Sequence, residues 1–212
     1  MESTYKVAVI GGTGKSGQFL VLHLLKQGIP IKMLLRNPEN FQLKSPLIEI
    51  VKGDARDPRA VYSLTEGCDA VISTLGQPKN EPSVFSDATR NVIAAMEFFK
   101  IRRYIVITGI NVDTPQDKKT GYTEAATEWM KDNFPKTTAD KQTEWELLDS
   151  SGLDWTLVRL PIIELTDQKN EVKISLVDCP GEKISAGSLA EFLVNQLYDT
   201  TYFKQSPFIS NG

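Results

Sequence analysis

Apolar runs of strand length alternate with helix-period segments from residue 5 onward, and this alternation constrains the fold more than any other feature. Tyr5 to Ile10 is apolar apart from Lys6, as expected of a strand buried on both faces. Gly17 to Gln27 carries Phe19, Leu20, Leu22, Leu24 and Leu25 at helical spacing and stops at Gly28, ahead of Pro30. Ile31–Leu35, Ile48–Val51, Ala70–Leu75 and Tyr104–Thr108 read as further strands, with helices expected at Pro58–Glu66 and Val84–Lys100. Repeated units of this kind dictate a parallel sheet with right-handed crossovers and helices on both faces. The expectation is an α/β, doubly wound Rossmann architecture whose ligand lies beyond the carboxyl ends of the strands, where strand order reverses.

Past residue 110 the pattern loosens. Asn111 to Tyr122 is polar and turn-rich and reads as a surface loop or lid. Helices are expected at Thr123–Asn133 and Thr138–Ser151, divided at Pro135, then a sixth strand at Trp155–Arg159, a last helix at Ser188–Tyr198 and a tail strand at Pro207–Ser210. With 212 residues and 41% hydrophobic content, a single domain over 1–212 is expected, with 161–186 as a small C-terminal insertion on the substrate side.

The first strand-to-helix turn, VAVIGGTGKSG at 7–17, contains Gly14-Lys15-Ser16, the ending of an ATP-binding P-loop. That motif needs a glycine five residues before Gly14, and Val9 stands there, inside the strand. Gly11, Gly14 and Gly17 instead fit a dinucleotide turn. Gly11 and Gly14 let the backbone approach a pyrophosphate, and Gly17 lets the helix sit against the sheet. Thr13, Lys15 and Ser16 complete the loop whose N–H groups face the anion. At the end of the second strand, where an acid selects NAD, stands Arg36. With Lys15 it favours the 2′-phosphate of NADP(H) over NAD(H), unless both are simply solvated surface cations.

Other classes are disfavoured. The net charge is -3 with mixed signs, so no basic face offers itself to nucleic acid or to a membrane. The N-terminal Met-Glu-Ser-Thr-Tyr-Lys has no secretory pattern and no apolar run reaches membrane length, which makes the cytoplasm the expected location. Cys68 and Cys179 show no ligand spacing and His23 is the sole histidine, so no metal is expected. His23, Cys68 and Trp155 read as structural.

The chain resembles the atypical short-chain dehydrogenase/reductases, in the NAD(P)H-binding group that includes NmrA-like proteins, biliverdin reductase B and NADH-flavin reductases. The motifs are VAVIGGTGKSG, KGDARD at 52–57, DAVISTLGQ at 69–77, RYIVITG at 103–109, DSSGLDWTLVRLP at 149–161 and KISAGSLAEFLVNQL at 183–197. The resemblance implies adenine contacts from Asp54 and Ala55, and a ribose and nicotinamide lining from Thr74, Leu75, Gly76 and Gln77. It also puts Thr108 where the family's catalytic-site serine stands. Asp54 capping a turn and Thr108 ending a strand are the plainer alternatives.

One departure matters more. The superfamily pairs a tyrosine with a lysine four residues on, the lysine lowering the phenol's pKa for proton exchange with substrate. Lys141 occupies the lysine's place, yet Thr137 precedes it by four, and no tyrosine in the chain has a lysine at that spacing. Lys141 then either touches the nicotinamide ribose or is solvated. The chemistry that survives is hydride transfer to a conjugated acceptor such as a flavin, quinone or linear tetrapyrrole. Its pocket is expected from Gly76–Pro82, Gly109–Tyr122 and Pro161–Asp167, with Tyr122 or Trp129 for stacking. A non-catalytic NADP(H) sensor acting on a protein partner remains open. So does an epimerase or dehydratase using Asp113 or Glu164.

Overall fold

In the computed structural model, residues 5–78 and 80–212 are described. The strands are β1 (Val7–Ile10), β2 (Ile31–Leu35), β3 (Ile48–Lys52), β4 (Ala70–Ser73), β5 (Arg103–Gly109), β6 (Asp154–Leu160), β7 (Ile162–Glu164), β8 (Val172–Ser175), β9 (Lys183–Ser185) and β10 (Phe208–Asn211). The helices are α1 (Gly17–Lys26), α2 (Pro58–Thr65), α3 (Phe85–Phe99), α4 (Gly121–Asn133), α5 (Pro135–Ser150) and α6 (Ala186–Asn195). The main sheet runs β3-β2-β1-β4-β5-β6-β10-β8, parallel except for antiparallel β8, and β7 pairs with β9 apart from it.

Period-two alternation distributes each strand between two apolar layers. Val7 and Val9 pack with Leu20, Leu24 and Leu193 of α1 and α6. Ala8 and Ile10 face the opposite way, with Leu64, Val92, Met96 and Leu148 of α2, α3 and α5. Because strand order reverses between β1 and β4, their carboxyl ends open side by side, and Thr74 N–H donates to Ile10 O at 2.9 Å across the gap. This is the crevice where a doubly wound sheet takes its ligand.

Several expected boundaries move. β1 begins at Val7, since Lys6 N–H leaves the ladder for Asp69 Oδ2 at 2.8 Å. α4 begins at Gly121, inside the expected loop, and α5 begins at Pro135, whose missing N–H costs nothing at a first helical position. Within the segment expected as a substrate-side insertion, β8 is the edge strand of the main sheet, with β10 between it and β6.

The segment 111–120 is not the loose polar lid that its composition suggested. Arg159, fully buried on β6, donates from Nη1 to both carboxylate oxygens of Asp117 at 2.7 Å and stacks 3.5 Å from the Phe208 ring centroid. Lys119 Nζ donates to Val112 O at 3.0 Å and to Asp113 Oδ1 at 2.7 Å. A buried guanidinium needs a carboxylate; Asp117 is that partner, and it pins the loop to the sheet.

Candidate functional site

A cleft of about 860 Å³ lies over the carboxyl ends of β1, β2, β3 and β4. Of the residues singled out from the sequence, Gly11, Thr13, Gly14, Lys15, Ser16, Arg36, Asp54, Ala55, Thr74, Leu75, Gly76 and Gln77 all line it. Asn37, Asn40, Phe41, Arg56, Pro78, Val84 and Ile163 complete much of the wall.

The turn is built for close approach. Gly11 has φ +79°, and a Cβ there would stand 2.6 Å from Thr74 O. Gly17 lies behind the wall, where a Cβ would meet Gly11 O at 2.1 Å. Its role is to seat α1 on the turn, as its spacing predicted. Ser16 caps α1 with its backbone alone, and the first turn holds no acidic side chain. The helix start therefore presents N–H donors and positive dipole to the cleft, with no carboxylate of its own in the way. These features fit a diphosphate-bearing dinucleotide.

Asp54 plays the turn-capping part: its Oδ1 accepts from Arg56 N–H at 2.8 Å, while Oδ2 stays 3.9 Å from Arg36 Nη1 and 3.7 Å from Arg56 Nη1. Arg36 is not a free surface cation, because its Nη1 donates to Glu81 Oε1 at 2.8 Å. Arg56 Nη1 donates to Glu81 Oε2 at 3.1 Å, so one carboxylate bridges two guanidinium groups. These hydrogen bonds hold the Glu81 carboxyl below the usual glutamate range and raise Arg36 further. Arg56 belongs to the KGDARD motif, but its role escaped the sequence reading; a second arginine in a strand-end turn, two residues after Asp54, was the available signal. Glu81 lies in the segment after β4, where nothing in the sequence shows that it faces Arg36.

Thr108 and Lys141 do not line the cleft; they meet each other beside it. Lys141 Nζ donates to Thr108 Oγ1 at 3.2 Å and sits 3.8 Å from the Phe85 ring centroid. Desolvation lowers the pKa of this ammonium. One turn further along α5, Glu144 is buried and accepts from Thr89 Oγ1 at 2.8 Å, while its Oε2 has no partner among the described residues. Burial pushes its carboxyl up to about 7. Thr89 also contacts the buried Tyr104 hydroxyl at 3.3 Å, and burial raises that phenol's pKa.

Asp140, next to Lys141, caps α3 from α5. It accepts from Phe85 N–H at 2.8 Å and from the hydroxyls of Ser83 and Ser86. Burial alone would raise this carboxyl, but the donated hydrogen bonds outweigh it and hold it low. The α3 N-cap residue, Val84, has no side-chain acceptor of its own, which is why the cap comes from elsewhere.

Other expected participants lie apart. Tyr122 and Trp129 are not among the cleft-lining residues, and Trp129 is not core either: it is exposed and packs edge-on against Phe134. Of the expected acceptor pocket, Gly76, Gln77, Pro78 and Ile163 line the cleft; Lys79 falls outside the described residues. Asp113 pairs with Lys119 and Lys131, and Glu164 pairs with Lys183 at 2.7 Å. Trp155 is buried, Cys68 is buried with its thiol pushed up to about 11, and His23 Nε2 contacts Gln27 Nε2 at 3.0 Å on α1. No group of His, Cys, Asp and Glu among the described residues is arranged to hold a metal ion, and no described helix is long and apolar enough to cross a membrane.

Comparison with known proteins bears on the fold and the family. Cinnamoyl-CoA reductase 1 of Petunia hybrida is 25% identical over 182 residues, which are 74% of this chain and 54% of that protein. The chain thus spans about half the length of such curated relatives. Among solved structures, a short-chain dehydrogenase/reductase of Veillonella parvula in complex with NADP superimposes with TM-score 0.79 at 15% identity, covering 98% of this chain and 94% of that one. ChuY of Escherichia coli O157:H7, described as an anaerobillin reductase, gives TM-score 0.76 at 18% identity over 97% of each chain. The sequence model of one family, described as NAD(P)H-binding, matches residues 11–200, and the chain belongs to that family.

Proposed function

We propose that this protein is an NADPH-dependent reductase that delivers hydride to a conjugated acceptor such as a flavin, a quinone or a linear tetrapyrrole. The observation that carries this reading is the surroundings of Lys141. Its neighbours are the Thr108 hydroxyl and the Phe85 ring, Thr137 replaces the phenol one turn earlier, and the nearby Tyr104 is buried with a raised pKa. A site with no acidic phenol suits an acceptor whose conjugation spreads the incoming charge and takes its proton from water. The shared fold with ChuY, described as an anaerobillin reductase, is consistent with this reading.

The nicotinamide cofactor supplies the hydride when bound. The N–H groups of the Gly11–Gly17 turn would hold its diphosphate, Asp54 and Ala55 would meet the adenine, and Arg36, Arg56 and Lys15 would attract the 2′-phosphate. Thr74 to Gln77 would line the ribose and nicotinamide end, and the Thr108 hydroxyl, oriented by Lys141 beside the cleft, is the group proposed to reach the carboxamide or an acceptor oxygen. The ion pairs of Asp113 with Lys119 and of Glu164 with Lys183 support neither carboxylate as the acid or base of an epimerase or dehydratase step.

The test is to follow NADPH absorbance with FMN, FAD, quinones and biliverdin beside an equilibrium NADPH titration. Oxidation with at least one acceptor is expected. Tight binding without turnover across the panel would convert the reading to that of a dinucleotide sensor, which the absence of the phenol suits equally. Cofactor choice is tested separately: Arg36→Ala lowers the NADPH-to-NADH affinity ratio by about one to two decades, the worth of a charge-assisted pair.

A further inference from the structure

The rim of the cleft holds a bridge that no diphosphate or adenine contact requires. Arg36 closes β2, Arg56 follows β3, and Glu81 comes from the segment between β4 and α3. The Glu81 carboxylate spans the two guanidinium groups at 2.8 and 3.1 Å. Arg56 Nη2 also donates to Pro82 O at 2.7 Å, and Gln77 Nε2 donates to Glu81 O at 3.0 Å, so the segment is registered on the rim from both sides. One acid oxygen on each of two arginine forks is the arrangement a phosphate monoester takes up with such forks. With Asp54 counted, two carboxylates balance these two guanidinium groups, which leaves Lys15 as the remaining cation of the cleft lining for an incoming dianion.

Resting on the NADPH reading above, we propose that Glu81 is a specificity-determining residue of the adenosine end. Its carboxylate stands in for the 2′-phosphate and must leave the Arg36–Arg56 fork before that phosphate can enter. A 2′-hydroxyl requires no such displacement and can donate to a rim carboxylate, so NADH binds with the bridge intact. Glu81 therefore subtracts from NADPH affinity alone, and narrows a preference that the two arginines would otherwise make larger. The Glu81 and Arg36 side chains are 38% and 51% exposed, so the exchange needs only a side-chain swing, and water screens the pairs that are broken.

The experiment titrates the full chain with adenosine 2′,5′-bisphosphate and with 5′-AMP, which report the adenosine end alone, and with NADPH and NADH. For Glu81→Gln, the bisphosphate and NADPH are expected to bind about three- to tenfold tighter, with AMP and NADH unchanged within twofold. The gain shrinks as salt rises from about 0.05 to 0.5 M, because the competing pairs are exposed. Glu81→Ala gives the same selective gain if the effect is removal of charge. Equal weakening of all four ligands, or an unchanged ratio in Glu81→Gln while Arg36→Ala lowers it, overturns the inference and leaves the NADPH reading standing. An unchanged ratio in Arg36→Ala removes the NADPH reading, and this inference with it.

Discussion

Lys141 on α5 and Thr108 at the end of β5 are joined by a 3.2 Å hydrogen bond, although 33 residues separate them in the chain. The ammonium is also pressed against Phe85 and desolvated, which lowers its pKa. In the proposed function Lys141 acts through the Thr108 hydroxyl, as a positioning residue, and this can be tested. Lys141→Met is expected to cut kcat about tenfold and leave the NADPH Kd within about threefold, the pattern of a lost orienting contact. The wild-type rate should fall in alkaline solution at lower pH than an ordinary lysine allows, because neutral Lys141 no longer donates as an ammonium. That limb should vanish in the variant, and a pH profile that keeps it in Lys141→Met assigns the titration to another group.

Glu144 predicts a dependence of stability on pH. In an unfolded chain its carboxyl titrates near the usual value of about 4.3. In the folded protein burial raises it to about 7. Below about pH 4 both states hold the proton; as pH rises to about 7 only the unfolded state releases it, and stability falls by about 3 kcal/mol before levelling off. Glu144→Gln should be more stable than wild type by about 1–3 kcal/mol at pH 8, with the gap closing at pH 4. Urea unfolding at the two pH values measures this directly, and a gap that is constant with pH contradicts it.

The Asp117–Arg159 pair should behave as a buried ion pair, since Arg159 is fully covered. Replacing one partner leaves the other charge uncompensated, so Asp117→Ala is expected to cost about 3–5 kcal/mol. Amide exchange should rise across residues 112–120 before it rises in the strands. Exchange confined to the wild-type pattern would mean that the loop is held by its other contacts.

The glycine turn separates two substitutions of the same size. Gly17→Ala places a Cβ 2.1 Å from a backbone oxygen, whereas Gly14→Ala brings one no closer than 3.1 Å. The first should abolish measurable dinucleotide binding or unfold the turn. The second should weaken binding only modestly, about three- to tenfold, since a neighbour shift of tenths of an ångström accommodates it. Equal losses for the two would detach Gly17 from the seating of α1.

Much of this was legible in the sequence because local period and local chemistry agree. The buried runs of β1, β4 and β5 could be read as strands, and the Gly11–Gly17 spacing could be read against them. Three kinds of feature were not. Asp140 caps a helix 55 residues away, which no window along the chain shows. Glu81 and Arg56 look like solvated charges until the strand ends bring them to Arg36. The segment 111–120 reads as loose by composition, and only the burial of Arg159 on a neighbouring strand explains why it is fixed. Trp129, expected as a stacking surface for the acceptor, lies away from the cleft on the exposed side of α4, whose buried positions are Thr123 and Thr127.

The placement of β10 has a consequence for the order of assembly. Residues 208–211 lie between β6 and β8, so β8, made more than thirty residues earlier, has no strand to join until they emerge. Asn211 Oδ1 also accepts from Ser185 N–H, at the start of α6, and α6 packs on α1 behind the glycine turn. During synthesis β1 to β5 can pair while the far edge and α6, which covers α1, are still to come. Residues 208–211 thus complete the edge of the sheet and brace the helix that backs the glycine turn in one step.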